Sequence, residues 1–368
     1  MSANHHNEIA SGFLVGSAIL CEHIGHKQKP ESRLRAAVFK GVGKPLAVET
    51  VPDPEPAEGE VVIKVGRCGV CGTDLHMTES HGMSYAVGTV AGHELAGEVV
   101  AIGRGVSHLR TGDLVTSMSV YGCGTCAACI GGYPIICSAM TGLEGGFGQY
   151  TRALERTCMV LPKSLSLADG ALVEPLACSL HGVRMSEITP ETRVLVLGAG
   201  PVGLGAVFWA AQAGARRIAV AAHSRRGEAL ALSLGASAFV DPQAERGTAV
   251  VDALGGPPDV VFECVGRPGL LGEAIALARF RGTVVVLSMC MEPDTIVPGM
   301  ALMKEVTLRF AVSCDGIEFR QALDTLDRGS LEPRAMVTGI VSLDALPDAF
   351  EGLRAGSQHC KLMVDPWA

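Results

Sequence analysis

The feature that most constrains the fold of this chain is a glycine-rich segment between an apolar strand and a helical stretch. Gly198-Ala-Gly200-Pro-Val-Gly203 follows the apolar residues 193–197 and precedes residues 204–212, which have helical character. Glycines at this spacing allow a tight turn and a close approach of the backbone to a pyrophosphate at the helix N-terminus. Residues 194–215 carry no charge and are long enough to cross a bilayer, but the glycines favour strand, turn and helix instead.

The segments around this motif predict an α/β chain with two domains. From residue 193 onward, apolar strands alternate with helical patterns, which predicts a parallel sheet with crossover helices. Residues 34–150 contain short β-rich pieces between glycine and proline clusters, which predicts an irregular, mostly β domain. The tail after about residue 314 is expected to rejoin that first domain. The length of 368 residues agrees with two domains.

Composition and charge exclude several classes of protein. Thirty Lys and Arg against 38 Asp and Glu give a net charge of −8, so nothing indicates a nucleic-acid-binding face. A hydrophobic content of 48% argues against disorder. The apolar run 9–21 has no Lys or Arg upstream, so we expect an accessory extension over residues 1–32 rather than a signal peptide. We also expect a cytoplasmic protein that does not bind a membrane.

Four of the 13 cysteines form the most specific local motif. Four thiolates at the spacing C-x2-C-x2-C-x7-C can close a tetrahedron around Zn²⁺, and the surrounding glycines indicate an exposed loop. The alternatives are an iron–sulfur cluster, although nothing nearby suggests electron transfer, and unliganded thiols. We therefore expect a structural zinc lobe over residues 122–138. Its ligands are Cys123, Cys126, Cys129 and Cys137.

A second set of metal-binding residue types is spread over three segments. A soft thiolate, an imidazole and a carboxylate together can form an open zinc site, with the fourth position left for a substrate oxygen. Each segment alone would mean little, because a lone histidine is more often part of the core and a glutamate before proline more often caps a helix. The segments are Cys71-Gly-Thr-Asp74-Leu-His76, Gly92-His93-Glu94 and Val173-Glu174-Pro175.

The end of the second strand after the glycine motif indicates the cofactor. This strand ends at Ala222 without the acid that would bind an adenosine ribose 2′-hydroxyl. The residues after it offer hydroxyl and guanidinium donors to a 2′-phosphate, which favours NADP over NAD. The alternative is a solvated loop with chance arginines. The residues are His223, Ser224, Arg225 and Arg226.

In this order and spacing, the motifs resemble the zinc-dependent medium-chain dehydrogenases, the alcohol, sorbitol and threonine dehydrogenase-like proteins, over about residues 33–368. The resemblance implies a GroES-like, mostly β catalytic domain at 33–185 and 315–368. It implies a Rossmann domain with a doubly wound parallel sheet at 186–314, and an active site in the cleft between the two. It further implies one catalytic and one structural zinc and a homodimer or homotetramer. The cofactor-binding turn would be Gly198, Gly200, Pro201, Val202 and Gly203.

The resemblance also assigns metal-binding roles to single residues. Cys71 and His93 match the first two ligands of the catalytic zinc. Glu174 matches the third, and Cys178 is a weaker candidate for that position. Glu94 matches a carboxylate that orients ligands and that reaches zinc itself in some members of the family.

Three further residues match the machinery for proton transfer and ligand orientation. Asp74 matches a carboxylate that orients a metal ligand. Thr73 matches the hydroxyl that accepts the alcohol proton, and His76 matches the outer member of the relay to solvent.

The implied reaction is a reversible transfer of hydride between an alcohol and NADP⁺. Ser119 falls where related enzymes often carry a bulky aromatic residue, which favours a secondary or bulky alcohol. One alternative is a polyol or amino-alcohol dehydrogenase that uses NAD. Others are a zinc-free quinone or enoyl reductase on the same fold, and a non-catalytic zinc- and dinucleotide-binding protein.

Overall fold

The computed structural model describes residues 33–79 and 84–368, so the extension predicted over residues 1–32 lies outside the described residues. In the described part, no helix is long and apolar enough to cross a bilayer. The strands are β1 (Arg33–Val38), β2 (Ala47–Pro52), β3 (Glu60–Gly69), β4 (Glu94–Ile102), β5 (Leu114–Ser117), β6 (Val120–Tyr121), β7 (Thr141–Gly142), β8 (Tyr150–Leu154), β9 (Cys158–Val160), β10 (Arg193–Leu197), β11 (Arg217–Ala221), β12 (Ala238–Val240), β13 (Val260–Glu263), β14 (Thr283–Val286), β15 (Thr307–Phe310), β16 (Val337–Ser342) and β17 (Lys361–Asp365).

Ten α-helices connect these strands in the described residues. Most of the longer ones lie after residue 166, where the sequence predicts helices between parallel strands. The helices are α1 (Gly72–Met77), α2 (Ala127–Ile130), α3 (Leu167–Arg184), α4 (Pro201–Gln212), α5 (Glu228–Ser233), α6 (Arg246–Leu254), α7 (Leu270–Leu277), α8 (Pro298–Lys304), α9 (Gly316–Asp327) and α10 (Leu346–Arg354).

The first sheet is mostly antiparallel and has the strand order β16-β17-β3-β4-β5-β9, with β8 also paired to β3. Val61, Ile63 and Val65 of β3 face one side of the sheet and are fully buried, and Val62 on the opposite side is buried as well. β17 joins β3 through the pairs Met363 with Gly69 and Val364 with Cys68. The C-terminal strand thus pairs with a strand formed early in the chain.

The second sheet has six parallel strands in the order β12-β11-β10-β13-β14-β15. Its two faces are both buried: Val194 and Val196 pack into one apolar cluster, and Leu195 and Leu197 pack into another. The chain moves outward from β10 to β12 and then returns to β13, so the strand order reverses between β10 and β13. Ligands bind at such a reversal, outside the carboxyl ends of the strands. The predicted doubly wound parallel sheet is confirmed.

Helix α3 packs against both sheets. It begins with a capping box, in which Ser166 accepts from the N–H of Asp169 and the Asp169 carboxylate accepts from the N–H of Ser166. One apolar cluster joins Ala96 of β4 and Val173 of α3 to Val207 of α4. The two sheets are thus held through one continuous core with α3 at its centre.

Candidate active site

The first predicted metal-binding segment forms the start of the short helix α1. Cys71 is the N-cap residue, and its Sγ accepts from the backbone N–H of Thr73 at 3.4 Å. The N–H of Cys71 donates to Oδ2 of Asp74 at 3.0 Å, which completes a capping box. Thr73 and His76 are three residues apart on α1 and therefore share a face of the helix. The segment brings a thiol, a hydroxyl and an imidazole together.

Asp74 orients the imidazole of His93. Its Oδ1 lies 3.4 Å from Nδ1 of His93, and it also accepts from the hydroxyl of Tyr85 at 3.0 Å. Burial alone would raise the pKa of Asp74, but the charge and hydrogen bond of His93 lower it below its ordinary value. Because Asp74 occupies Nδ1, Nε2 of His93 is left available for a metal.

A buried lysine holds the carboxylate of Glu94. Lys361 of β17 donates from Nζ to both carboxylate oxygens, at 2.7 and 2.6 Å, and to the carbonyl of Val70 at 3.1 Å. Glu94 and Lys361 are each only 1% exposed. Burial opposes a charged ammonium, but the Glu94 carboxylate raises the pKa of Lys361, so the ammonium keeps its proton. Burial raises the pKa of Glu94, and the charge of Lys361 opposes that rise. Lys361 is not among the residues predicted from the sequence, where its only signal is a charge at the start of the apolar stretch 361–364.

Cys71, His93 and Glu94 converge on one point. Their ligand atoms all lie within 4.8 Å of one another. A thiolate, an imidazole and a carboxylate are the donor types that zinc takes in open sites, so the residues fit the metal predicted from the sequence. The structure therefore brings together three of the predicted residues from α1, the following loop and β4.

Glu174 of α3 lies outside this set of three but beside it. Its Oε1 accepts from the hydroxyl of Ser119 at 2.6 Å and from the thiol of Cys178 at 3.4 Å. Glu174 is only 5% exposed. A hydrogen bond with Cys314 and burial raise the pKa of Cys178 well above its ordinary value, so its thiol keeps its proton. Cys178 is therefore placed as a hydrogen-bond donor to Glu174.

The structure also brings the four cysteines of the lobe together. All four sulfur atoms lie within 4.8 Å of one another, between the short strands β6 and β7. Backbone N–H groups point at the sulfurs, for example from Cys126 to Cys123 at 3.3 Å. Hydrogen bonds from Thr125 and Cys126 lower the pKa of Cys123 to about 5, which favours the thiolate that binds metal. A Cβ at Gly122 would lie 2.5 Å from Sγ of Cys129, so only glycine fits there.

The glycine motif forms the predicted turn between β10 and α4. Gly198 has a φ of +104°, and a Cβ on Gly203 would lie 2.1 Å from the carbonyl oxygen of Gly198. Gly200 is the N-cap of α4, and Pro201 opens the helix. No side chain caps this helix, so its first N–H groups remain available to an anion.

The two arginines after β11 have different surroundings. Arg225 binds Glu228 at 2.8 Å and Asp241 at 3.0 Å, so two carboxylates already engage it. Arg226 lies 3.1 Å from the hydroxyl of Ser224 and 3.2 Å from Nε2 of His223, and its Nη1 donates to the backbone carbonyls of Gly356 and Ser357, so no carboxylate in the described part of the chain neutralises it. Ser224, His223 and Arg226 thus form one cluster, whereas Arg225 forms ion pairs with Glu228 and Asp241.

Two family models match this chain. The alcohol dehydrogenase GroES-like domain matches residues 57–163, and the zinc-binding dehydrogenase domain matches residues 201–328. The first range covers most of the first sheet and the four-cysteine lobe, and the second covers most of the parallel sheet. Both halves of the fold are therefore similar to the same group of proteins.

Individual proteins resemble the chain over nearly all of its described length. A sorbitol dehydrogenase of Halalkalibacterium halodurans is 30% identical over 330 residues, which is 87% of this chain and 96% of that protein. An (R,R)-butanediol dehydrogenase of Bacillus subtilis is 31% identical over 338 residues, 88% of this chain and 97% of that protein. A protein from Sinorhizobium meliloti 1021, assigned as a zinc-binding dehydrogenase and solved with NADP, has a TM-score of 0.84 at 31% identity, with 91% of this chain and 100% of that chain covered.

Proposed function

The chain belongs to the zinc-dependent medium-chain dehydrogenases, the family of the alcohol, sorbitol and threonine dehydrogenases, and from this premise we propose that it oxidises a secondary or bulky alcohol with NADP⁺. The reverse reaction reduces the corresponding carbonyl. The observation that carries the proposal is the convergence of Cys71, His93 and Glu94 within 4.8 Å, directly beside the hydroxyl-bearing helix α1. The proposal keeps the catalytic domain at 33–185 and 315–368 and the cofactor domain at 186–314.

The proposed catalytic metal site uses four side chains. Cys71, His93 and Glu174 would hold zinc, with Glu174 contributing from α3 through its second oxygen, Oε2, so that the fourth position stays open for the substrate oxygen. Glu94 lies beside them as the carboxylate that orients the ligands and that can itself reach the metal. The hydrogen bonds of the two carboxylates support this division of roles. Lys361 binds both oxygens of Glu94, whereas only Oε1 of Glu174 has a partner among residues 33–79 and 84–368. The second zinc would be held by the four cysteines of the lobe.

The proposed mechanism separates a proton from a hydride. When bound, zinc supplies a Lewis acid for the substrate oxygen, and the nicotinamide supplies the acceptor of the hydride. Thr73 accepts the hydroxyl proton of the alcohol and passes it towards His76. The side chain of His76 is 37% exposed, so it can release the proton to solvent. The proton released through His76 and the hydride that a bound nicotinamide would accept together account for the two hydrogens that the alcohol loses when it becomes a carbonyl.

The proposed preference for NADP rests on the cluster after β11. Ala222 stands where an acid would repel a 2′-phosphate, and Ser224 and Arg226 lie together where they can donate to one. His223 is close enough to take part. The presence of NADP in the S. meliloti structure supports the same choice.

The proposed substrate class rests on the family and on the small residue at position 119. Sorbitol and butanediol, the substrates named for two similar proteins, carry secondary alcohols. Ser119 directs its hydroxyl at Glu174 and fills less space than an aromatic ring would. A polyol dehydrogenase that uses NAD is the second candidate, which the same relatives favour.

A purified-enzyme assay tests the proposed function. We expect NADP⁺ reduction that depends on a secondary alcohol, and loss of this activity after a chelator removes the metal, with recovery on adding Zn²⁺. A panel of secondary alcohols, polyols and amino alcohols identifies the class. Metal-independent reduction of a quinone or an enone would instead support the zinc-free reductase. Failure to turn over any alcohol, with both cofactors and full zinc content, would contradict the proposal.

The proposed homo-oligomer uses the edge strand β15. In the described part of the chain, β15 pairs with β14 alone, so its outer edge carries unpaired N–H and C=O groups. Phe310 of this strand is 64% exposed, and Leu302 and Met303 of α8 are 75% and 78% exposed. A second copy placed across a two-fold axis would extend the sheet and cover these side chains.

A further inference from the structure

Ser119 makes a direct contact with a residue of the proposed metal site. Its hydroxyl lies 2.6 Å from Oε1 of Glu174, a short distance typical of a hydroxyl that donates to a carboxylate. Ser119 is 8% exposed and Glu174 is 5% exposed, so little water competes for this bond. The hydroxyl is therefore engaged with Glu174 rather than free in the cleft.

The backbone fixes the position of Ser119. Its carbonyl accepts from the N–H of Leu143 at 2.7 Å, and the preceding residue, Met118, donates to the carbonyl of Thr157 at 3.0 Å. Ser119 also stands between strands β5 and β6. The donor is thus held in place from both sides before any ligand arrives.

The two oxygens of Glu174 have different surroundings. Ser119 and Cys178 both donate to Oε1. No group among residues 33–79 and 84–368 donates to Oε2. Oε2 is also not sealed from solvent, since Asp53 Oδ1 is the only sealed side-chain oxygen or nitrogen without a partner in that part of the chain. The hydrogen bonds therefore engage Oε1 and leave Oε2 available to a ligand.

From this asymmetry we propose that Ser119 is a positioning residue for the reaction: it fixes the Glu174 carboxylate so that Oε2 is presented to the catalytic metal. This proposal rests on the proposed function, because it requires a metal at Cys71 and His93. Loss of the hydroxyl frees the carboxylate to rotate and removes a charge-assisted hydrogen bond. The consequence is a weaker and less uniform metal site, not a larger substrate pocket.

Cobalt substitution gives a readout that does not depend on activity. Co²⁺ absorbs visible light with a spectrum set by its ligands, and the bands that vanish in Cys71→Ala belong to the catalytic site. Ser119→Ala is compared with Ser117→Ala, a matched control. The Ser117 hydroxyl is also buried, but it contacts Thr157 and the carbonyl of Met118 and does not touch Glu174. Thermal unfolding and NADP binding verify that each variant is folded.

We expect Ser119→Ala to shift the catalytic-site bands and to weaken Co²⁺ and Zn²⁺ binding there about tenfold, while Ser117→Ala changes neither. Ser119→Thr, which keeps the hydroxyl, should restore both. In a Glu174→Ala background, Ser119→Ala should add no further loss of metal affinity, because its effect acts through Glu174.

Three results would overturn the inference. The first is a Ser119→Ala protein with the bands and metal affinity of Ser117→Ala. The second is a loss of metal affinity that persists in full in the Glu174→Ala background. The third is a change in KM for bulky against small alcohols with an unchanged cobalt spectrum, which would place Ser119 in the substrate pocket. If wild-type protein shows no Cys71-dependent bands, the proposed function itself fails, which is a distinct outcome.

Discussion

Thr73 is the residue on which the proposed proton transfer depends. It lies two residues after Cys71 on the first turn of α1, and its hydroxyl is not needed for the helix cap, which uses its backbone N–H. Replacing it with valine removes the hydroxyl and keeps the shape. We expect Thr73→Val to retain zinc and bind cofactor while kcat falls at least about a hundredfold, as general acid–base groups typically contribute. Elemental analysis and steady-state kinetics measure the two quantities.

The serine variant provides the control for Thr73. Thr73→Ser keeps a hydroxyl and should retain most of the activity. If Thr73→Val has near wild-type kcat across pH 6–9 with full zinc occupancy, the relay through Thr73 and His76 is wrongly assigned.

The second prediction for single residues is that Arg226 contributes more than Arg225 to binding of the NADP 2′-phosphate. Arg226 is grouped with Ser224 and His223 and donates to two backbone carbonyls, which leave its charge uncompensated, whereas two carboxylates already neutralise Arg225. We expect Arg226→Ala to lower kcat/KM for NADP⁺ about tenfold, which corresponds to about 1.4 kcal/mol. The value for NAD⁺ should change little, and Arg225→Ala should change both by less than about threefold.

Comparison of the two cofactors in wild-type protein decides whether this prediction applies. A tenfold preference for NAD⁺ would contradict the NADP assignment. An NADP advantage that survives Arg226→Ala would remove that arginine from 2′-phosphate binding and leave Ser224 and His223 as its donors.

The sequence predicts single residues well where their partners are close along the chain or belong to a recognised motif. Cys71, His93 and Glu94 are identified in advance by residue type and motif, and they converge in the structure. Lys361 and the bond of Ser119 are not predicted, because their partners lie 267 and 55 residues away. A lysine in an apolar strand gives no indication of which carboxylate it neutralises until the sheet brings β17 beside β3.

At the scale of elements, Asp259 ties β10 to the segment before β13. It accepts from the N–H and Nε of Arg193, at 2.8 and 3.0 Å, and also pairs with Arg279. Burial would raise the pKa of Asp259, but the hydrogen bonds of the two arginines lower it from 3.8 to about 2. A lowered pKa means that the stabilisation is complete above about pH 4 and disappears as the pH falls towards 2.

We therefore expect Asp259→Asn to destabilise the protein by about 1 to 2 kcal/mol at pH 7, a range reduced for partial solvent screening. The difference from wild type should shrink as the pH falls from 4 to 2. Urea unfolding at several pH values measures it. Asp252→Asn on the exposed side of α6 is the control and should be neutral at every pH. A difference that is independent of pH would contradict the assigned role of the ion pairs.

Helix α3 shows why strands are easier to predict here than domain boundaries. The alternation of apolar strands and helices predicted from residue 193 onward appears in the structure, for example at Val260–Glu263 and Thr307–Phe310. The boundary proposed at residue 185 lies at the end of α3, which packs on β4 as well as on α4 and α9. One apolar cluster contains residues from both sides of residue 185. The pattern of apolar residues along the chain therefore does not show where one domain ends and the next begins.

At the scale of the whole molecule, the two ligand sets share no residue, which predicts two zinc ions per chain. Elemental analysis of active protein should give a ratio near two. Cys126→Ser should lower the ratio to one and reduce thermal stability, because the lobe loses the metal that orders its loop. Cys290→Ser, which lies in neither set, should leave both quantities unchanged. A ratio near one in fully active wild-type protein would contradict the two-site assignment.

The proposed contact through β15 predicts a change of molecular mass in solution. Phe310→Glu places a charge on the outer edge of the parallel sheet, so we expect the oligomer to dissociate towards smaller species. Light scattering coupled to size-exclusion chromatography measures the mass. Leu232→Glu, an equally drastic change at a partly exposed position on α5, should leave the mass unchanged. An unchanged mass for Phe310→Glu, or a monomeric wild-type protein, would reject this interface.

The pairing of β17 with β3 has a consequence for how the chain is made. Domains generally fold in order as they leave the ribosome. Here, however, β3 and Glu94 are made early, while the strand and the ammonium that complete them come from Lys361–Asp365. All six strands of the parallel sheet, 193–310, are translated in between. The half of the protein that carries Cys71, His93 and Glu94 is therefore begun first during translation and finished last.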